Sequence, residues 1–244
     1  MGKTMNQDKI ITEHGLDSLS QRSTAALKAI DHRYIVVEGP IGVGKTTLAG
    51  KLAQSFGCDL LLEGAAENPF LPPFYENPRA AALPTQLFFL LQRARQMQEL
   101  RQDDLFNPVR VADFLIEKDQ LFARMTLDEN ELALYEQVYQ QLTLDAPRPD
   151  LVIYLQAPVD VLMSRVQQRG VSYEKRIEYS YLQRMSDAYV EFFYHYNDAP
   201  LLIVNAKDID VVGKDSDYQQ LLQRIRSIRS GRHYYNPAPD LLKE

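Results

Sequence analysis

The strand-like run Tyr34-Ile-Val-Val-Glu38 passes without a gap into Gly39-Pro-Ile-Gly-Val-Gly-Lys45-Thr46 and then into the helix-like run Thr47-Leu-Ala-Gly-Lys-Leu-Ala. The middle segment fits G-x-x-x-x-G-K-[ST], a pattern with meaning only between a strand and a helix. Glycines let such a loop curl so that its N–H groups point inward at phosphate oxygens. The helix N-terminus adds partial positive charge. Gly39, Gly42, Val43, Gly44, Lys45, Thr46 and Thr47 are therefore the candidate triphosphate cradle. Lys45 would reach the β- and γ-phosphates, and the Thr46 hydroxyl would ligate Mg²⁺.

The rest of the chain repeats the alternation. Short Val-, Ile- or Leu-rich runs at 59–63, 109–114, 151–156 and 201–204 follow the first strand, with helical segments between them. This predicts a phosphate-loop NTPase-type three-layer α/β fold: five parallel strands with helices on both faces. Long helices are expected over 84–101 and 127–142, where apolar residues recur at spacings of three and four, and over the aromatic-rich stretch 173–196. Residues 1–32 read as a polar extension with a short helix at 16–30, residues 33–230 as one phosphate-loop domain, and 231–244 as an irregular tail. Arg224, Arg226, Arg229 and Arg232 read as a solvated helix face.

Charge and cysteine content narrow the partners. The formal net charge is −6, against a nucleic-acid polymer, which needs a basic footprint. The single cysteine, Cys58, excludes an internal disulfide and suits a reducing compartment. Apolar runs fall short of the ~20 residues that span a bilayer, and the polar N-terminus carries no secretory core. The expected setting is the cytoplasm, with no membrane partner.

Other phosphate-loop classes fit less well. A GTPase needs Asn-Lys-x-Asp, and Asn205-Ala-Lys-Asp208 has the wrong register. A motor ATPase shows an apolar strand ending in Asp-Glu, and none is present. A small kinase remains. Asp113, at the end of the third strand, stands where ligands of open α/β sheets bind; it either holds Mg²⁺ through water or caps a turn. Glu63 closes the second strand beside it and can take a proton from an attacking hydroxyl. Gln86 carries both donor and acceptor, which suits a base edge. Tyr75 can bond a sugar hydroxyl. Phe70 and Phe74 either stack on a base or fill core.

The ordered set Glu63, Asn68-Pro-Phe-Leu, Tyr75, Gln86 and Arg93 resembles the deoxynucleoside kinase family over roughly residues 34–205. The resemblance implies ATP as donor, Mg²⁺, a deoxynucleoside acceptor and a homodimer built on the helices at 84–101 and 127–142. It implies Glu63 as general base, Gln86 on the nucleobase, and Tyr75 with Glu174 on the 3′-hydroxyl. It places Arg93 on the base side or on the catalytic carboxylate, and Asp119 near the base. Arg165 and Arg169, four apart on Val159–Arg169, would form an arginine-bearing lid over the transferring phosphoryl; their other reading is an ordinary surface pair.

The chain departs from that pattern. The family carries arginine and serine after the third-strand acid, whereas Asp113 is followed by Phe114-Leu-Ile-Glu-Lys118-Asp119. Lys118 offers a cation from the next helix, as a point charge without a planar fork. The family's last lid arginine is replaced by Val171, with Lys175 or Arg176 nearby. These changes imply a divergent bacterial-type branch. Two alternatives stay open. A thymidylate-like monophosphate kinase would need a cationic clamp near Glu63. A non-catalytic scaffold is the other, since an accessory subunit of respiratory complex I resembles the family; the intact Lys45-Thr46 pair speaks against it. Gln86 pairs with adenine, cytosine or guanine edges, so the base is open.

Overall fold

The structure is a computed structural model that describes residues 32–102, 109–209, 211 and 213–237. The helix expected at 16–30, the rest of the N-terminal extension and the tail beyond 237 lie outside them. Among the described residues, six strands form one parallel sheet. They are β1 (Tyr34–Glu38), β2 (Asp59–Leu61), β3 (Arg110–Ala112), β4 (Leu151–Gln156), β5 (Leu201–Asn205) and β6 (Arg232–Tyr235), in spatial order β2-β3-β1-β4-β5-β6. Among the described residues eight α-helices accompany them: α1 (Lys45–Phe56), α2 (Leu71–Glu76), α3 (Pro78–Gln102), α4 (Lys118–Thr126), α5 (Glu129–Thr143), α6 (Val159–Arg169), α7 (Tyr179–His195) and α8 (Asp215–Ser227).

The expected five strands are corrected to six, and the extra one falls in the stretch expected to be irregular. β6 reads Arg-His-Tyr-Tyr, is only partly buried, and pairs with β5 alone. An edge strand has no need of a continuous apolar run, so its composition hides it. β2 is an edge strand too, paired to β3 over only three residues. Glu63 therefore lies two residues beyond its strand and Asp113 one beyond β3, both still at the C-terminal ends of the sheet. β1 is wholly buried, as are all but the last residues of β4 and β5.

Local chemistry sets the helix ends that matter for the site. α1 starts from Gly44 (φ 105°), and α6 stops at Gly170 (φ 71°), both in the left-handed region that glycine tolerates. α5 starts at a capping box, in which Asp128 accepts from the Glu131 N–H and Glu131 accepts from the Asp128 N–H. α3 begins six residues before the expected 84, so Pro84 lies inside it and withholds the N–H that would bond the Ala80 carbonyl. The helix expected over 173–196 is two pieces, a 3-10 turn at Tyr173–Arg176 and then α7. Of the four C-terminal arginines, Arg224 and Arg226 lie on α8. Arg232 instead bonds the Tyr194 and Tyr196 carbonyls from β6.

Candidate active site

A cavity of about 830 Å³ opens where β1 and β3 end. Its floor is the phosphate loop. The loop's backbone conformation admits only glycine at two critical points: Gly39 and Gly42 have φ of 149° and 83°, and a Cβ on Gly39 would run into the Leu155 carbonyl. Gly42, Val43, Gly44, Lys45, Thr46 and Thr47 line the cavity. Gly39 sits beneath it, its carbonyl accepting from Lys45 Nζ at 2.7 Å. Burial lowers the Lys45 pKa, against Glu38, which raises it.

Asp113 links the two sides of the cavity. Its Oδ2 accepts from Thr46 Oγ1 at 2.5 Å, and its Oδ1 accepts from the Glu63 backbone N–H at 2.8 Å. Gln96 on α3 fixes the same segment by donating to the Leu62 carbonyl. Just beyond, Gly64 (φ 65°) turns the chain into the short helix Ala65–Glu67. The Glu63 side chain is thus carried on a loop pinned at two points. Its carboxylate accepts from Arg93 Nη2, while Arg93 Nη1 bonds Asp119. Lys118 Nζ lies 2.8 Å from Glu63 Oε1 and 3.4 Å from Glu38 Oε2. Burial by itself would raise the Glu63 pKa, but Lys118, Arg93 and Lys45 together hold it well below the usual carboxylate range. Burial works against the Lys118 charge, and Glu38 and Glu63 more than restore it.

Glu38 was not singled out in the sequence. It ends β1, is fully buried, and accepts from the Gly39 and Leu115 N–H groups and from Tyr189 Oη. A carboxylate closing an otherwise apolar buried strand was the available signal, since such a charge needs partners. Thr126 was missed as well. Its hydroxyl accepts from Gln86 Nε2 at 3.3 Å and donates to the Phe122 carbonyl, so it orients the Gln86 amide.

The far wall carries the remaining expected residues. Gln86, Arg93, Tyr75 and Glu174 all face the cavity. Tyr75 stacks on Tyr173 with ring centres 6.0 Å apart and meets Tyr181 edge-on. Burial, with Tyr181 and Glu174 nearby, pushes its hydroxyl pKa far up, so it stays a donor. Two expected residues are not on the wall. Phe70 is 39% exposed and packs edge-on against Phe88, because Asn68 holds the turn by accepting from the Phe70 N–H and donating to the Thr85 carbonyl. Phe74, Phe89 and Phe122 supply the apolar surface instead. Phe89 was legible, being three residues from Gln86 and four from Arg93 on one helix face. Asp119 is buried behind Arg93, which it bonds, and does not line the cavity.

Arg165 and Arg169 both line the cavity, but neither is a loose surface arginine. Arg165 donates to the Val43 and Ala206 carbonyls at 3.3 and 2.9 Å, tying α6 to the phosphate loop and to the end of β5. Arg169 forks onto Glu174, with Nη2 2.5 Å from each carboxylate oxygen.

Among the described residues no three His, Cys, Asp or Glu side chains group into a metal cage, and no helix is long and apolar enough to cross a membrane. Magnesium asks for less than a cage: one or two carboxylates, waters and the phosphates of a substrate. The Thr46 and Asp113 pair fits that donor set.

Comparison with known proteins identifies the family and the fold. A family model described as deoxynucleoside kinase matches residues 35–229. The chain is 34% identical over 201 residues to a deoxyguanosine kinase of Bacillus subtilis, covering 80% of this chain and 97% of that one. It is 28% identical to a deoxyadenosine kinase of Lactobacillus acidophilus, covering 78% and 94%. In fold it is similar to the deoxyadenosine kinase of M. mycoides with bound dATP, with a TM-score of 0.69 at 23% identity, covering 80% of this chain and all of that one.

Proposed function

Because the chain belongs to the deoxynucleoside kinase family, we propose that it transfers the γ-phosphoryl group of ATP to the 5′-hydroxyl of a deoxynucleoside. The single observation that carries this reading is the shared carboxylate of Asp113. It bonds Thr46 in the donor loop and the backbone of Glu63, so donor and acceptor halves are built on one side chain. Phosphoryl transfer needs positioning and charge neutralisation more than covalent chemistry. Glu63 takes the proton of the 5′-hydroxyl, O5′ bonds to the γ-phosphorus, and the bond to the β–γ bridging oxygen breaks to leave ADP. Lys45 and the loop N–H groups hold the phosphates. Bound Mg²⁺, held by Thr46 and Asp113, would neutralise phosphate charge.

Gln86, set by Thr126, faces the nucleobase between the Phe89 and Phe122 rings. Tyr75 and Glu174 receive the 3′-hydroxyl. Arg165 and Arg169 serve as the lid, Arg169 leaving Glu174 to meet the transferring phosphoryl. Relatives named for deoxyguanosine and deoxyadenosine support a purine acceptor. The half-exposed Leu91 and Leu134, on α3 and α5, suit a homodimer through those helices, and the lone cysteine suits the cytoplasm. A monophosphate kinase is disfavoured, because the two cations in contact with Glu63, Arg93 and Lys118, are engaged by carboxylates.

The test is an acceptor panel. Purified protein with Mg-ATP and separate deoxynucleosides, ribonucleosides and monophosphates should release ADP with at least one purine deoxynucleoside. Turnover with monophosphates alone, or with no acceptor at all, would overturn the reading.

A further inference from the structure

Lys118 opens α4, yet a cation in the first turn of a helix is disfavoured by the helix dipole. Nor is it a solvated residue, since its side chain is only 3% exposed. Its location is explained by what it touches. Nζ stands between Glu63 Oε1 and Glu38 Oε2, and Glu38 in turn holds the N–H of Gly39, the first residue of the phosphate loop.

The two cations at Glu63 engage the same oxygen. Arg93 Nη2 and Lys118 Nζ both contact Oε1, and among the described residues no hydrogen bond is made to Oε2. An acid anchored by one oxygen and open at the other has a defined direction. The neighbouring Phe114, which follows Asp113 in the chain, is fully buried and offers no charge. Its ring packs under the Arg93 guanidinium at 5.8 Å.

We propose that Lys118 is a positioning residue for the acceptor half of the site: its ammonium fixes Glu63 Oε1, turns Oε2 toward the 5′-hydroxyl, and ties the base through Glu38 to the donor loop. The role rests on the kinase reading above. Lys118 reaches from α4 the carboxylate to which Phe114 can offer no charge. A plain structural counter-ion is the competing account, and it makes a different kinetic prediction. A counter-ion stabilises the fold whatever stands at position 63, whereas a positioning residue matters only while Glu63 is there to be aimed.

A double-mutant cycle on the full chain separates them. Lys118→Met should lower kcat by about 10²-fold, the cost of misplacing a reacting group, while the KM for the deoxynucleoside and the affinity for Mg-ATP change by less than about threefold. In the Glu63→Gln background, the same Lys118→Met change should alter kcat by less than about threefold. Independent, multiplying losses in the double variant would overturn the role. Lys118→Arg keeps a buried cation and carries the test if Lys118→Met does not fold. It should retain kcat within about tenfold of the parent, and a loss as deep as that of Glu63→Gln would count against the proposal. Wild-type protein that turns over no deoxynucleoside would remove the kinase reading and this role together. Turnover with multiplying losses would remove the Lys118 role alone.

Discussion

Thr46 Oγ1 donates a 2.5 Å hydrogen bond to Asp113 Oδ2, joining the first turn of α1 to the end of β3 across the floor of the cavity. The carboxylate's other oxygen receives the Glu63 N–H. Asp113→Asn keeps the shape but removes the charge. Its expected effect is a higher half-saturating Mg²⁺ concentration and a kcat about 10²-fold lower, in line with the loss of one group that stabilises developing charge. Initial rates against Mg²⁺ at fixed ATP check it, and an unchanged Mg²⁺ dependence would detach Asp113 from the metal.

Gly42 has φ of 83°, and a Cβ there would stand 2.8 Å from the Leu162 carbonyl and 2.9 Å from Val166 Cγ2, both on α6. Gly42→Ala should cost about 1–3 kcal/mol of stability from backbone strain and weaken ATP binding by displacing α6, which carries Arg165 and Arg169. Urea unfolding and nucleotide titration measure the two effects separately. A variant with parental stability and ATP affinity would mean that the loop relaxes freely.

Tyr75 and Glu174 both face the cavity, and on the proposed reading an acceptor that lacks a 3′-hydroxyl leaves Tyr75 without its partner once Arg169 has swung to the phosphoryl. Sites that pair a hydroxyl reject analogues without it strongly. The kcat/KM for the 3′-deoxy analogue of the best substrate should fall by roughly 10²–10⁴-fold. Equal values for the two compounds would move the sugar elsewhere in the cavity.

His32 is buried, and its Nε2 has no hydrogen-bond partner. Burial, and then Arg229, push its pKa below the ordinary value of 6.5. Between that lowered value and 6.5 the unfolded chain binds more protons than the folded one, so stability rises with pH through this window. Lowering the pH from 7.5 to 5.5 in a series of urea melts at one temperature should therefore lower stability, and His32→Asn should flatten that part of the curve. A parent curve already flat over this range would contradict the shift.

Much of this site is written in consecutive or helically spaced residues, and that part was legible. The phosphate loop is one continuous segment, and Gln86 with Arg93 and Arg165 with Arg169 each share a helix, so their proximity was legible in spacing, while the roles given to Arg93, Arg165 and Arg169 came from the family resemblance. All five expected strands were found within two residues at each end, β1 and β4 in full; four of them are buried parallel strands, which read as apolar runs. What escaped is tertiary. β6 is an edge strand of polar and aromatic residues. Phe70 is turned outward by the Asn68 bonds, which no local pattern announces. Glu38 looked like the last residue of a strand, and its role depends on partners at 115, 118 and 189.

The most direct measurement is a rapid-quench single turnover, with excess enzyme and Mg-ATP and a limiting purine deoxynucleoside, comparing the parent with Glu63→Gln. The parent should form the 5′-monophosphate in one fast phase. Glu63→Gln should slow that phase by about 10²–10⁴-fold, the usual contribution of a positioned base, with ATP still bound. A Glu63→Gln variant that forms the monophosphate at the parental rate, or a parent that forms none, would contradict Glu63 as the base that activates the 5′-hydroxyl.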